Sequence, residues 1–230
     1  MFGFSSAKGG VGVTVTAALT AAAARSLDGR GVLLVDLDGD LPAAVGAPAV
    51  PLGVSDWLSS TSEIDGLARL EWVVGDGVSL LALGGRGPDG SSPSAGFADL
   101  DPERVAAFLD VLTAEPRRVV VDLGRAVADG GAPTLALMVA ERCERTYLVT
   151  RACYLGLRRA TATAGEIRRD GVVLVKENGR ALRSEDVARV LDLPISAEID
   201  LDPLIGRAVD AGLILQRPPR AAVRSVRRLL

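Results

Sequence analysis

Short runs of apolar residues alternate along this chain with longer stretches whose apolar positions recur every three or four residues. The runs are 1–7, 31–38, 77–84, 118–124, 145–151, 171–176 and 193–199. Most are continuous, as in strands buried on both faces. Between them the spacing predicts helices over 13–26, 102–114, 130–141, 155–169, 184–191 and 203–212. In 102–114 the apolar set is Val105, Phe108, Leu109 and Leu112. Pro102 and Pro203 follow Asp101 and Asp202, which places each proline in a first helical turn behind a capping carboxylate. Strand–helix alternation predicts an α/β fold, with a mostly parallel, twisted sheet of seven or eight strands flanked by helices. No long linker divides the chain, so 1–230 is expected to be a single domain. The breaker-rich stretch 84–97 reads as an exposed loop, 39–53 reads as irregular, and no repeat is present.

Composition narrows the function classes. Aromatics are only 3%, so the core must be built from Ala, Val and Leu, and base-stacking RNA platforms are disfavoured. The absence of histidine excludes His-based triads and His-ligated zinc. Net charge is −3, so the whole chain is not a polyanion binder. Cys143 and Cys153 are too few for a disulfide scaffold and read as small buried hydrophobes. Basic residues are 24 Arg and two Lys, Lys8 and Lys176, which draws attention to each lysine.

Sixteen uncharged residues, 9–24, follow Lys8 and loosely resemble a secretory signal. The opening GGVGVT is too rich in glycine and threonine for that, and a strand pattern follows at once. No run of eighteen strongly apolar residues is present, so no transmembrane helix is expected.

The strongest local signal is Ala7-Lys8-Gly9-Gly10-Val11-Gly12-Val13-Thr14, between a predicted strand and a predicted helix. Glycines let a backbone wrap closely round phosphates and aim successive N–H groups at the negative charge. A hydroxyl in the first helical turn, Thr14, is placed to ligate Mg²⁺. The ordinary phosphate loop is GxxxxGK[ST]; here Val13 stands where its lysine belongs, and Lys8 stands at the start.

The segment resembles the deviant loop KGGxGK[ST] of the ParA/MinD family of ATPases, with six of seven pattern positions filled. Other segments resemble the family in order: the strand ending VDLD (Asp36 and Asp38), VVVDLGR at 119–125, the strand–helix step at 146–160, and the closing segment at 191–215. The resemblance implies a three-layer P-loop fold binding ATP or ADP with Mg²⁺. It implies that Gly9, Gly10, Val11, Gly12, Val13 and Thr14 hold phosphates. Thr14, Asp36 and Asp122 would organise the metal, Asp38 would orient the attacking water, and Lys8 would reach across a homodimer to the partner's phosphates. The backbone of the closing segment would frame the adenine.

Two departures qualify this. Val13 offers neither charge nor donor, which implies weak or lost nucleotide binding and impaired hydrolysis, or a fold used as a nucleotide-independent scaffold. At the strand end VVLVKENGR, Lys176 takes the place of an adenine-contacting Asn, and Asn178 comes two residues later. The general look is of the CpaE/TadZ-like branch linked to pilus localisation. The expected role is positioning a larger assembly through a protein partner, in the cytoplasm or at the inner face of the membrane. A fully active ATP-driven dimerisation switch is the alternative, while an iron–sulfur relative would need paired cysteines that are not in pattern here.

Residues 217–230 carry five Arg and no acid. As a helix, Val223, Val226 and Leu230 fall on one side, so anionic lipid and non-specific DNA are candidate partners. The plainer expectation is that the apolar side packs on the sheet while the arginines stay in water.

Overall fold

A computed structural model describes residues 1–48, 50–61, 63–84, 101–126 and 134–230. Eight strands form one sheet: β1 Phe2–Ser5, β2 Val32–Asp36, β3 Glu71–Gly75, β4 Val78–Leu81, β5 Arg118–Asp122, β6 Arg145–Arg151, β7 Gly171–Lys176 and β8 Ile195–Asp200. Their order is β3-β4-β2-β5-β1-β6-β7-β8. All neighbours are parallel except β3 and β4. The predicted α/β class holds. Successive side chains of one strand feed opposite faces: Val32 and Leu34 join one core cluster, Leu33 and Val35 the other.

The helices are α1 Val13–Ala24, α2 Leu41–Ala44, α3 Val54–Leu58, α4 Pro102–Ala114, α5 Leu135–Arg142, α6 Tyr154–Ala162, α7 Ser184–Leu191, α8 Pro203–Asp210 and α9 Arg220–Val226. Helix α1 is buried almost all round, with the alanines at 17, 18 and 21–24 at most 5% exposed. It contacts β1, β2, β5, α2 and α9, and small side chains allow that close approach. Asp101 and Asp202 cap α4 and α8 as expected, accepting from the N–H groups of Glu103 (2.9 Å) and Leu204 (2.8 Å).

Several expectations are corrected. Strand β3 lies in a stretch assigned to no element. It is a half-exposed antiparallel edge with Val73 85% exposed, and its apolar run is only the three residues Trp72–Val74, too short to mark a strand by itself. The Asp76-Gly77 turn that joins it to β4 was the available signal. The irregular region 39–53 contains α2. The helix expected over 155–169 ends at Ala162, where the Arg169 Nη1 bonds the Ala160 carbonyl (2.8 Å) and the Thr163 hydroxyl bonds back to Arg159 (3.2 Å). The loop expected at 84–97 falls, beyond Gly84, outside the described residues, as do residues 130–133 of the helix expected over 130–141.

Cys143 is buried, and burial pushes its thiol up to about 12, as suits an inert core residue. Cys153 is half-buried instead, and its Sγ accepts from the Gly156 N–H at the start of α6 (3.4 Å).

The basic C-terminal segment lies on the core. Ala222, Val226 and Leu229 are buried against α1 and β8. Val223 and Leu230 are half-buried and pack against the same core cluster, on the side expected, and the 3₁₀ turn at Arg227–Leu229 adds Leu229 to it. The Tyr147 hydroxyl donates to the Leu229 carbonyl (3.1 Å) and ties this turn to β6. No helix among the described residues is long and apolar enough to cross a membrane.

Candidate functional site

The glycine loop leaves β1 near the middle of the sheet, where a parallel α/β sheet opens a crevice beyond the carboxyl ends of its strands. Gly10 (φ 74°) and Gly12 (φ 101°) adopt backbone angles that other residues resist, and they curl the loop into α1. Gly12 caps α1 without any side-chain hydrogen bond. The first-turn N–H groups of the helix are thus not taken by a capping side chain. Thr16 spends its hydroxyl on the Gly12 carbonyl (2.8 Å), while the Thr14 hydroxyl faces the Asp122 carboxylate.

A cavity of about 820 Å³ opens over this loop. Gly9, Gly10, Val11, Gly12, Val13, Thr14 and Asp38 all line it. Its far wall is the closing segment, including Ile199, Leu201, Pro203, Ile205 and Val209. Val13 is only 7% exposed and joins the core cluster beneath the loop. Lys8 is half-buried and is not part of the cavity wall of its own chain. Lys176 turns to Glu198 (3.1 Å) and Asp200 (3.8 Å), and neither it nor Asn178 lines the cavity.

Asp36 and Asp122 end β2 and β5 and are register partners across that pair. Both have no solvent exposure. One oxygen of Asp36 accepts from the N–H groups of Asp38 (3.1 Å) and Gly39 (2.7 Å), and one oxygen of Asp122 from Gly124 (2.9 Å). The second oxygen of each is buried without a partner. Burial pushes the Asp36 carboxyl up to about 6. Burial and the facing Asp36 push Asp122 up to about 8, against the pull of the Thr14 hydroxyl and the Gly124 N–H.

Among the described residues no three Cys, Asp or Glu side chains form a direct ligand cluster. Mg²⁺ does not require one, since it keeps several waters and takes one or two carboxylates. Two partnerless buried oxygens beside a threonine hydroxyl fit a hydrated Mg²⁺. Asp38 sits where β2 leads into the cavity. Burial, then the charge of Asp40, raise its pKa, and Arg125 pulls it back.

Two cationic residues of the cavity wall, Arg125 and Arg151, lie in segments that resemble the family but were assigned no role of their own. Arg151 ends β6 and donates from Nη2 to the Gly10 carbonyl (3.0 Å). Its position at the end of a central strand was the signal available, but only the sheet order brings that strand end beside the loop.

No family model matches the chain, and no curated protein does. Solved structures do. A ParA family ATPase from Chlorobium tepidum superposes with a TM-score of 0.79 at 21% identity, over 99% of this chain and 97% of that one. The fold is that of the ParA and MinD ATPases. MinD from Aquifex aeolicus, in its MinC:MinD complex, gives 0.75 at 20% identity over 99% of this chain and 94% of its own. MinD from Pyrococcus horikoshii, complexed with Mg-ADP, gives 0.72 at 21% over 99% and 93%. The ParA/MinD fold therefore covers nearly the whole chain, from the glycine loop to the C-terminal helix.

Proposed function

We propose that the 230 residues act as one ParA/MinD-like unit that binds ATP or ADP with Mg²⁺ and positions or assembles a larger structure, with weak or absent hydrolysis. One observation carries this reading. The glycine loop, Thr14 and Asp38 line one cavity, and directly beneath Thr14 lies the fully buried Asp36–Asp122 pair, whose second oxygens lack partners. The loop amides and the N-terminus of α1 would hold phosphates. Thr14, Asp36 and Asp122 would hold the metal, which supplies charge neutralisation on the phosphates. Asp38 would orient a water. The apolar wall from Ile199 to Val209 suits the faces of a purine. That the Pyrococcus horikoshii MinD was solved with Mg-ADP supports the choice of ligand.

Val13, in the place of the loop lysine, argues for weak hydrolysis and is consistent with the CpaE/TadZ-like branch. Losing one partner of a close charge pair costs about 2–5 kcal/mol. Lys8 lies outside its own cavity wall, which suits a role across a homodimer. The MinC:MinD complex supports a protein partner. A site in the cytoplasm or at the inner membrane face follows from the same reading, with any surface contact made by the outward arginines of 217–230. The second reading, a scaffold independent of nucleotide, is favoured by the burial of Val13 in the core cluster.

Calorimetry with ATP, ADP and Mg²⁺, with sedimentation of the same samples, decides between them. Wild type is compared with Val13→Lys and Lys8→Ala. Binding and dimerisation by wild type, both lost in Lys8→Ala, support the nucleotide switch. No binding by wild type, with binding restored by Val13→Lys, makes the protein a scaffold.

A further inference from the structure

The glycine loop has a polar tie that comes from a distant part of the sequence. Besides bonding the Gly10 carbonyl, Arg151 forms part of the cavity wall. Its Nε is buried without a hydrogen-bond partner. No carboxylate among the described residues pairs with it. A guanidinium is always charged and carries five donors in a planar fork, so most of its capacity at the loop is unspent. Arg125, the other cationic residue of the wall, already faces Asp38.

We propose that Arg151 is the cation that receives the nucleotide's phosphates at this loop, in the role a lysine at position 13 would serve. The inference rests on the nucleotide reading above. A phosphate chain on the loop needs positive charge as well as amide dipoles, and Val13 supplies none. The bond to Gly10 holds the guanidinium against the loop. The fork geometry suits bidentate contact with phosphate oxygens. Bringing the cation from β6 instead of α1 also leaves position 13 free to be a core residue, as its burial shows. In a chain with 24 Arg and two Lys, an arginine in this role fits the overall usage.

The test is calorimetry of the full chain with ATP, ADP and tripolyphosphate, each with Mg²⁺. Arg151→Gln keeps a donor for the Gly10 carbonyl but removes the charge, and Arg151→Lys keeps the charge. Ligand-free melting of each variant checks that it folds. The expected result is a loss of affinity between about ten- and a hundredfold in Arg151→Gln for all three ligands, partly recovered in Arg151→Lys. Val13→Lys placed in the Arg151→Gln chain restores binding. Equal binding by wild type and Arg151→Gln overturns the proposal and leaves the nucleotide reading standing. So does failure of Val13→Lys to rescue, provided Val13→Lys alone binds, because Arg151 then only props up the loop. If neither wild type nor Val13→Lys binds any of the three, both proposals fall.

Discussion

Asp36 and Asp122 face each other across neighbouring strands with no exposure to solvent, and each carries one oxygen that nothing donates to. Two such carboxylates cannot both ionise cheaply without a cation between them. Their pKa values rise from the ordinary 3.8 to about 6 and about 8. Between the unfolded value and those values the folded chain holds more protons than the unfolded one, so stability falls as pH rises. The melting temperature of chelator-treated protein should therefore drop between pH 5 and pH 8.5. Asp122→Asn should remove most of the drop, and Mg²⁺ should raise stability at the alkaline end. A flat profile without metal would show that the pair is not strained.

Gly124 fixes where Asp38 sits. Its φ is 60°, and a methyl group there would run into the Asp38 carboxylate. Gly124→Ala should lower unfolding stability by about 1 kcal/mol or more, from backbone strain and displacement together. Gly9→Ala is the control: nothing lies within 4 Å of the added carbon, and its stability should match wild type. Urea unfolding of the two variants makes the comparison.

Arg117 joins the edge hairpin to the sheet. Its guanidinium pairs with both oxygens of Glu71 (2.7 and 2.8 Å) and both of Glu115 (2.7 and 2.8 Å), all three side chains being largely covered. Arg117→Met leaves two carboxylates close together without their cation. A loss of about 2–4 kcal/mol is expected in chemical unfolding. The double variant Arg117→Met/Glu71→Gln should recover part of it, and no recovery would mean that the pairing to β3 contributes little.

The C-terminal helix should behave as core. Val226→Ala is expected to cost about 2 kcal/mol, and Tyr147→Phe about 1 kcal/mol, by leaving the buried Leu229 carbonyl unpaired. Replacing Arg224 and Arg227 with Gln should change stability by no more than about 0.5 kcal/mol. Thermal unfolding that ranked these the other way would mean that the helix is held by its arginines instead.

The site's local parts were legible because they depend on neighbours in sequence. A glycine loop between strand and helix, a threonine in the first turn and aspartates at strand ends carry their geometry with them, as do the caps at Asp101 and Asp202. Continuous apolar runs fixed the parallel class, since a strand covered on both faces has no polar side to show. What depended on non-local pairing was not legible. Strand β3 exists because β4 offers it an edge, and its own apolar run, Trp72–Val74, is too short to mark it. The burial of Leu229, beside the expected Val223, Val226 and Leu230, follows from a 3₁₀ turn docked on α1 and β6, which a regular helical wheel does not anticipate. Arg151 lies 141 residues beyond Gly10 and meets it only because β6 is laid next to β1. Residue type and spacing thus determined which groups the protein could use. The order of strands in the sheet decided which of them share a cavity, because only that order sets distances between residues far apart in the chain.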